Sequence, residues 1–192
     1  MTITPTPSGT SNPSSTSIAM GRTVGSRAHR RAERRARRTC RWVPVGRRLV
    51  VVDIENAVGG ADASADDVRH ALAVIRDMVG HGEGDVWVVG CGPTLLTTAM
   101  GVLPRSVLLG RGIDGADNRL LEHLSPERVV GSFSSVVLVS GDGRAFTQSV
   151  TVLRRAGVPT DLIVGKGGLG GMLHAAARQV VSLDQPSFAL AA

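Results

Sequence analysis

Three short acidic motifs stand behind apolar runs. Asp53-Ile54-Glu55-Asn56 follows Leu49-Val50-Val51-Val52, Asp114-Gly115-Ala116-Asp117 comes soon after Ser106-Val107-Leu108-Leu109, and Ser140-Gly141-Asp142-Gly143 follows Val136-Val137-Leu138-Val139. One acidic strand end can be a helix cap and nothing more. Several that converge would repel each other unless a hard cation or a positive group of a substrate sat among them. In open α/β sheets, ligands bind outside the carboxyl ends of the strands, which is where these residues would stand.

The apolar runs are rich in β-branched residues and do not alternate with polar ones, so they read as strands buried on both faces. Between them the period changes. Ser64 with Asp67 makes a capping box for a helix through Val79, whose buried face is Val68, Leu72, Ile75 and Val79. Asp85 to Val89 reads as a strand closed by Gly90-Cys91-Gly92-Pro93, with a helix from there toward Met100. Ser106 to Leu109 is a third strand and Asp117 to Leu124 a short helix. Arg128 to Val130 is open between a brief strand and a link. Val136 to Val139 is a strand and Ala145 to Ala156 a helix stopped by Gly157. Asp161 to Val164, Leu169 to Arg178 and Val180 to Leu183 give a strand, a helix and a last strand. Repeated alternation of this kind implies βαβ units, hence a three-layer α/β fold with a mostly parallel central sheet flanked by helices.

Charge divides the chain. The formal net charge is +6, but eleven Arg and one Glu through Arg48 give +10, whereas eleven basic and fifteen acidic groups in residues 49–192 give −4. The basic character therefore belongs to a tail, and a basic tail suits polyanions. Residues 1–42 are Ser/Thr/Pro-rich and then Arg-rich, and are expected to be disordered when free. A domain follows over 43–185, with Trp42 and Val43 packing the end of the tail onto it, and 186–192 form a short second tail. Cys40 and Cys91 make no ligand spacing or disulfide framework. His70 and His81 fall outside any ligand cluster. No apolar run is long enough to span a bilayer and the first twenty residues lack a secretory pattern, so a cytoplasmic protein without membrane contact is expected.

In order and spacing, the motifs at Asp53-Ile54-Glu55-Asn56, at Gly115-Ala116-Asp117 with Leu120 and Leu121, and at Ser140-Gly141-Asp142-Gly143 with Phe146 and then Leu153-Arg154-Arg155-Ala156-Gly157-Val158, resemble the NYN-domain family. That family is a branch of the PIN-like metal-dependent ribonucleases, and the resemblance covers roughly residues 48–184. It implies a PIN-like sheet and an acidic pocket for Mg²⁺ or Mn²⁺ held by Asp53, Asp117 and Asp142. Asn56 matches the family's pocket amide and counts with those three as catalytic. The implied reaction is hydrolysis of a phosphodiester in single-stranded or structured RNA, with one or two ions stabilising the attacking and leaving oxygens. Where many relatives have a further Asp two residues beyond the third acid, this chain has Arg144, which cannot bind a cation as a carboxylate does. Glu55 and Asp114 are candidate compensating carboxylates, with Glu55 alternatively directed into the neighbouring helix layer. Ser140 is an auxiliary that orients Asp142 or water, and Arg144 and Lys166 are candidate phosphate contacts.

Other signals carry less. Gly165-Lys166-Gly167-Gly168-Leu169-Gly170-Gly171 lacks the Ser or Thr and the glycine spacing of a phosphate-binding loop, and reads as a flexible loop. Ser140 lacks a nucleophile elbow. A phosphoaspartyl enzyme would need Asp where Glu55 stands. Two functions remain: a metal-dependent endoribonuclease, or a catalytically weak or inactive RNA-binding or protein-interaction module on the same fold. Arg144 is the feature that favours the second.

Overall fold

The computed structural model describes residues 46–80 and 82–184. The tail, the expected packing of Trp42 and Val43, His81 and the last eight residues lie outside them. Strand β1 (Arg48–Asp53) is central. It pairs in parallel with β2 (Val86–Cys91) on one side and with β4 (Ser135–Val139) on the other, with Val50 opposite both Trp87 and Val137. The six-stranded order is β3-β2-β1-β4-β5-β6, where β3 is Leu108–Leu109, β5 is Thr160–Val164 and β6 is Gln179–Ser182. All five described pairings are parallel.

Alternate residues of β1 enter opposite layers. Val50 and Val52 pack with Val68, Leu72, Ile75 and Val79 of α2 (Ala65–Val79), reached through the short α1 (Ile54–Val58); Leu95 of α3 (Pro93–Ala99) joins the same side. Leu49 and Val51 pack with Leu120 of α4 (Gly115–His123), Val129 of α5 (Pro126–Val129), Phe146, Val150 and Leu153 of α6 (Gly143–Arg155), and Leu173 of α7 (Gly171–Ala176). Each such side chain contributes about 1.5–3 kcal/mol on full burial, so a β1 buried on both sides anchors all three layers. The capping box at Ser64 and Asp67 is present.

Several boundaries differ from the sequence reading. β2 continues through Gly90 and Cys91, which pair with Asp53 of β1 and with Leu108 and Leu109 of β3, and Gly90 makes room for α4: a Cβ there would lie 2.7 Å from Leu120 Cγ. The turn-like glycine is thus a strand residue that admits a helix. β3 shrinks to two residues, α4 starts two residues earlier, and residues 126–129 are helical because Pro126 sits in the first turn. Among the described residues no helix is long and apolar enough to cross a membrane.

Candidate functional site

The chain leaves β1 toward β2 on one side, while β4 lies on the other, so strand order reverses between the carboxyl ends of β1 and β4. That reversal opens a crevice, and both strands end in acid. Asp53, the last residue of β1, caps α1: its Oδ1 accepts the Asn56 N–H at 3.1 Å. Its Oδ2 accepts the Ser140 hydroxyl at 3.0 Å. The same Ser140 oxygen accepts the Asp142 N–H at 3.1 Å, so one buried hydroxyl ties two acidic strand ends together. Asp142 in turn caps α6, its Oδ1 accepting from the N–H groups of Arg144 at 2.8 Å and Ala145 at 3.2 Å.

Asp117 reaches the crevice from the first turn of α4. A cavity of about 330 Å³ is lined by Asp114, Asp117, Asn118, Leu121, Asp142 and Arg144. Residues 114, 117, 118 and 121 have the three- and four-residue spacing of one helical face. Asn118 was not singled out from the sequence, because its type alone gave no signal and the helix was read from Asp117. Asp114 is the one described non-glycine residue with positive φ, at 52°, and it precedes α4 without making a side-chain cap.

The acids share one electrostatic field. Burial pushes the Asp53 carboxyl up to about 6, against the Asn56 and Ser140 hydrogen bonds and with help from the charges of Glu55 and Asp142. Asp117 is pushed up to about 7 by burial first and then by Asp53, Asp142, Asp114 and Glu55. They do not share a single coordination sphere: among the described residues no three His, Cys, Asp or Glu side chains form a group able to hold a metal ion. Nor does any of Asp53, Asp117 and Asp142 pair with a described Arg or Lys.

Other candidates are placed apart. Glu55 turns to the start of α3, its Oε1 accepting the Gly92 N–H at 3.1 Å, so it adds charge without lining the cavity. Asn56 acts as a latch: its Oδ1 accepts the Gly141 N–H at 2.8 Å. Lys166 lines a different hollow, of about 250 Å³, with Gly59, Asp62 and Asp67, and is not brought together with Arg144. Cys91 is buried, its thiol pushed up to about 11 by burial and the charge of Glu55.

The glycine-rich stretch after β5 is closely packed, where a flexible loop was expected. Gly167 donates its N–H to the Asn56 carbonyl at 3.0 Å and Gly170 to that of Gly141 at 2.9 Å. A Cβ on Gly141 would fall 1.4 Å from the Gly168 oxygen. The glycines let this backbone lie against the turns that present Asn56 and Asp142.

No family model and no curated protein matches this chain. A solved structure of a protein of unknown function from Vibrio parahaemolyticus is similar over 75% of this chain and 96% of its own, with 19% identity and a TM-score of 0.45.

Proposed function

We propose that this chain is a cation-dependent endoribonuclease on a PIN-like form of the three-layer fold, hydrolysing RNA phosphodiester bonds at the carboxyl-end crevice. The observation that carries the reading is the shared field of Asp53, Asp117 and Asp142, which no described basic side chain neutralises. A hard divalent ion is the chemical answer to such a field, and an all-oxygen donor set suits Mg²⁺ or Mn²⁺. Among the described residues no donor occupies the Asp117 carboxylate or Asp142 Oδ2, so those oxygens are open to an ion. The lack of a three-carboxylate group is compatible with this, because Mg²⁺ keeps several waters and is commonly held by one or two carboxylates plus substrate phosphates. When bound, the ion would neutralise phosphate charge and polarise the attacking water. The chain's own residues prepare that place: Ser140 sets the distance between Asp53 and Asp142, and Asn56 fixes the turn at Gly141.

The same missing group, with Arg144 on the cavity, favours the second reading, a catalytically weak or inactive RNA-binding or protein-interaction module. Calorimetry of the full chain with Mn²⁺, alongside cleavage of a single-stranded RNA by wild type, D53N and D142N, separates the two. Metal uptake and cleavage lost in both variants support the enzyme. RNA binding with no cation-dependent cleavage supports the module, and cleavage retained by D142N would place the activity elsewhere.

For the tail, we propose a role in capturing RNA. Removing residues 1–41 deletes nine Arg and one Glu, a net +8. Affinity is expected to fall, and the salt dependence to flatten by roughly 0.7 in log–log slope per lost phosphate contact. Equal slopes for the two forms would exclude it.

A further inference from the structure

We infer that the glycine-rich segment 165–170 and Asn56 together form a positioning device for Asp142, in which the Asn56 amide acts through the Gly141 turn and not on the RNA. The inference rests on the endoribonuclease reading above and concerns which residues hold that site. The turns after β1 and after β4 are separate pieces of backbone, and the segment after β5 bonds to both. Lys166 and Gly167 donate their N–H groups to the Ala57 and Asn56 carbonyls at 3.2 and 3.0 Å, and Gly170 donates to the Gly141 carbonyl at 2.9 Å. Asn56 closes the triangle, its Oδ1 taking the N–H of the buried Gly141 at 2.8 Å. Gly141 is thereby held by both its N–H and its carbonyl, one residue before Asp142. The other end of the amide, Nδ2, lies against Gly167, where a Cβ would come within 2.5 Å of it. Neither Asn56 nor any residue of 165–170 lines the cavity of Asp114, Asp117 and Asp142. An amide whose oxygen is taken by one turn and whose nitrogen abuts another is placed to space backbone. Such spacing matters to a reaction, since a misplacement of about 1 Å can cost about 10²-fold in rate.

The test uses the full chain as wild type, N56L, N56D, G167A and G171A. N56L removes the acceptor that Gly141 needs, and N56D keeps one while removing the amide nitrogen. G167A drives a methyl group against Asn56 from outside the cavity, whereas a Cβ on Gly171 meets nothing within 4 Å and serves as the control. Hydrogen exchange of the Gly141 amide is followed by NMR in EDTA, and cleavage of a single-stranded RNA in Mn²⁺ is resolved into kcat and KM. In N56L and G167A, Gly141 should exchange about tenfold faster relative to the amides of β4. The same two variants should lose about 10²-fold in kcat with KM changed by less than about threefold. N56D should keep Gly141 protected and cleave about tenfold faster than N56L, and G171A should match wild type in both measurements. Gly141 exchange in N56L within about twofold of wild type overturns the inference. So does an N56D that cleaves no faster than N56L while Gly141 stays protected, which would give the amide nitrogen a direct role. If wild type cleaves no RNA, the endoribonuclease reading falls, and the exchange rates alone decide whether Asn56 and Gly167 hold this turn.

Discussion

The two ends of the sheet treat buried acid in opposite ways. At the amino end, Asp85 lies beside the start of β1 and is gripped by Arg48: Nη2 donates to Oδ2 at 2.6 Å, Nε donates to the same oxygen at 3.1 Å, and the Arg48 backbone N–H reaches Oδ1 at 3.0 Å. Burial works upward on Asp85, yet these bonds hold it below the usual carboxylate range. Asp161 on β5 is likewise paired, with Arg178. At the carboxyl end, Asp53 and Asp117 receive no guanidinium from the described residues and are pushed up to about 6 and about 7. One end pairs its acids with arginine; the other leaves them without a described guanidinium partner.

The largest expected effect follows at the amino end. The Arg48 and Asp85 side chains are 14% and 4% exposed, so D85A leaves a nearly buried guanidinium without its partner. A loss of about 3–5 kcal/mol is expected, read as a lowered urea midpoint. D53N should behave differently, because the amide keeps the shape and removes a charge that burial disfavours. Its single acceptor oxygen cannot serve both the Asn56 N–H and the Ser140 hydroxyl, so metal-free stability above pH 7 should fall, but by less than in D85A, while cleavage falls by about 10²–10³ if the charge supports the reaction. Comparable destabilisation by D85A and D53N would erase the distinction between the ends.

Acidity sharpens it. Asp53 and Asp117 keep their protons to about 6 and about 7 in the fold, against 3.8 when unfolded. Between those values the folded chain binds more protons than the unfolded chain, so their stabilising contribution is present below about 3.8 and is lost as pH rises through about 6 and about 7. A divalent ion competes with those protons and binds better as pH rises. The melting temperature gained on adding Mn²⁺ should therefore widen from pH 5 to pH 8, by roughly 2–4 °C for each kcal/mol of added stability. D53N should flatten the metal-free profile, and a gain that narrows with pH would contradict a carboxylate site.

This division was only partly legible in the sequence. The β-branched runs at Val50–Val52 and Val136–Val139 identify strands buried from both sides, and the structure places Asp53 and Asp142 just where those runs end. Asp117 was also identified, on a helix read over Asp117 to Leu124, but the cavity wall it makes with Asp114, Asn118 and Leu121 was not. Partnerships were not. Arg48 and Asp85 are 37 positions apart, and nothing local says which carboxylate will find an arginine. Gly90 looked like a turn because its reason for being glycine, the approach of Leu120, is a contact across layers. Arg144 and Lys166 were both read as candidate phosphate contacts, and the structure sets them in different hollows.

The smallest predicted effect tests the amino-end rule where solvent weakens it. Asp161 is 3% exposed and Arg178 47%, so the two halves of this pair have unequal needs. Removing Asp161 frees a guanidinium that water can solvate. Removing Arg178 leaves a buried carboxylate without the Nε donor that reaches Oδ1 at 2.7 Å. R178A is therefore expected to cost about 1–2 kcal/mol, less than D85A because half of the arginine already sits in water, whereas D161N should cost less still. An R178A loss no larger than that of D161N in urea unfolding would show that neutralisation of the buried acid is not what this end of the sheet requires.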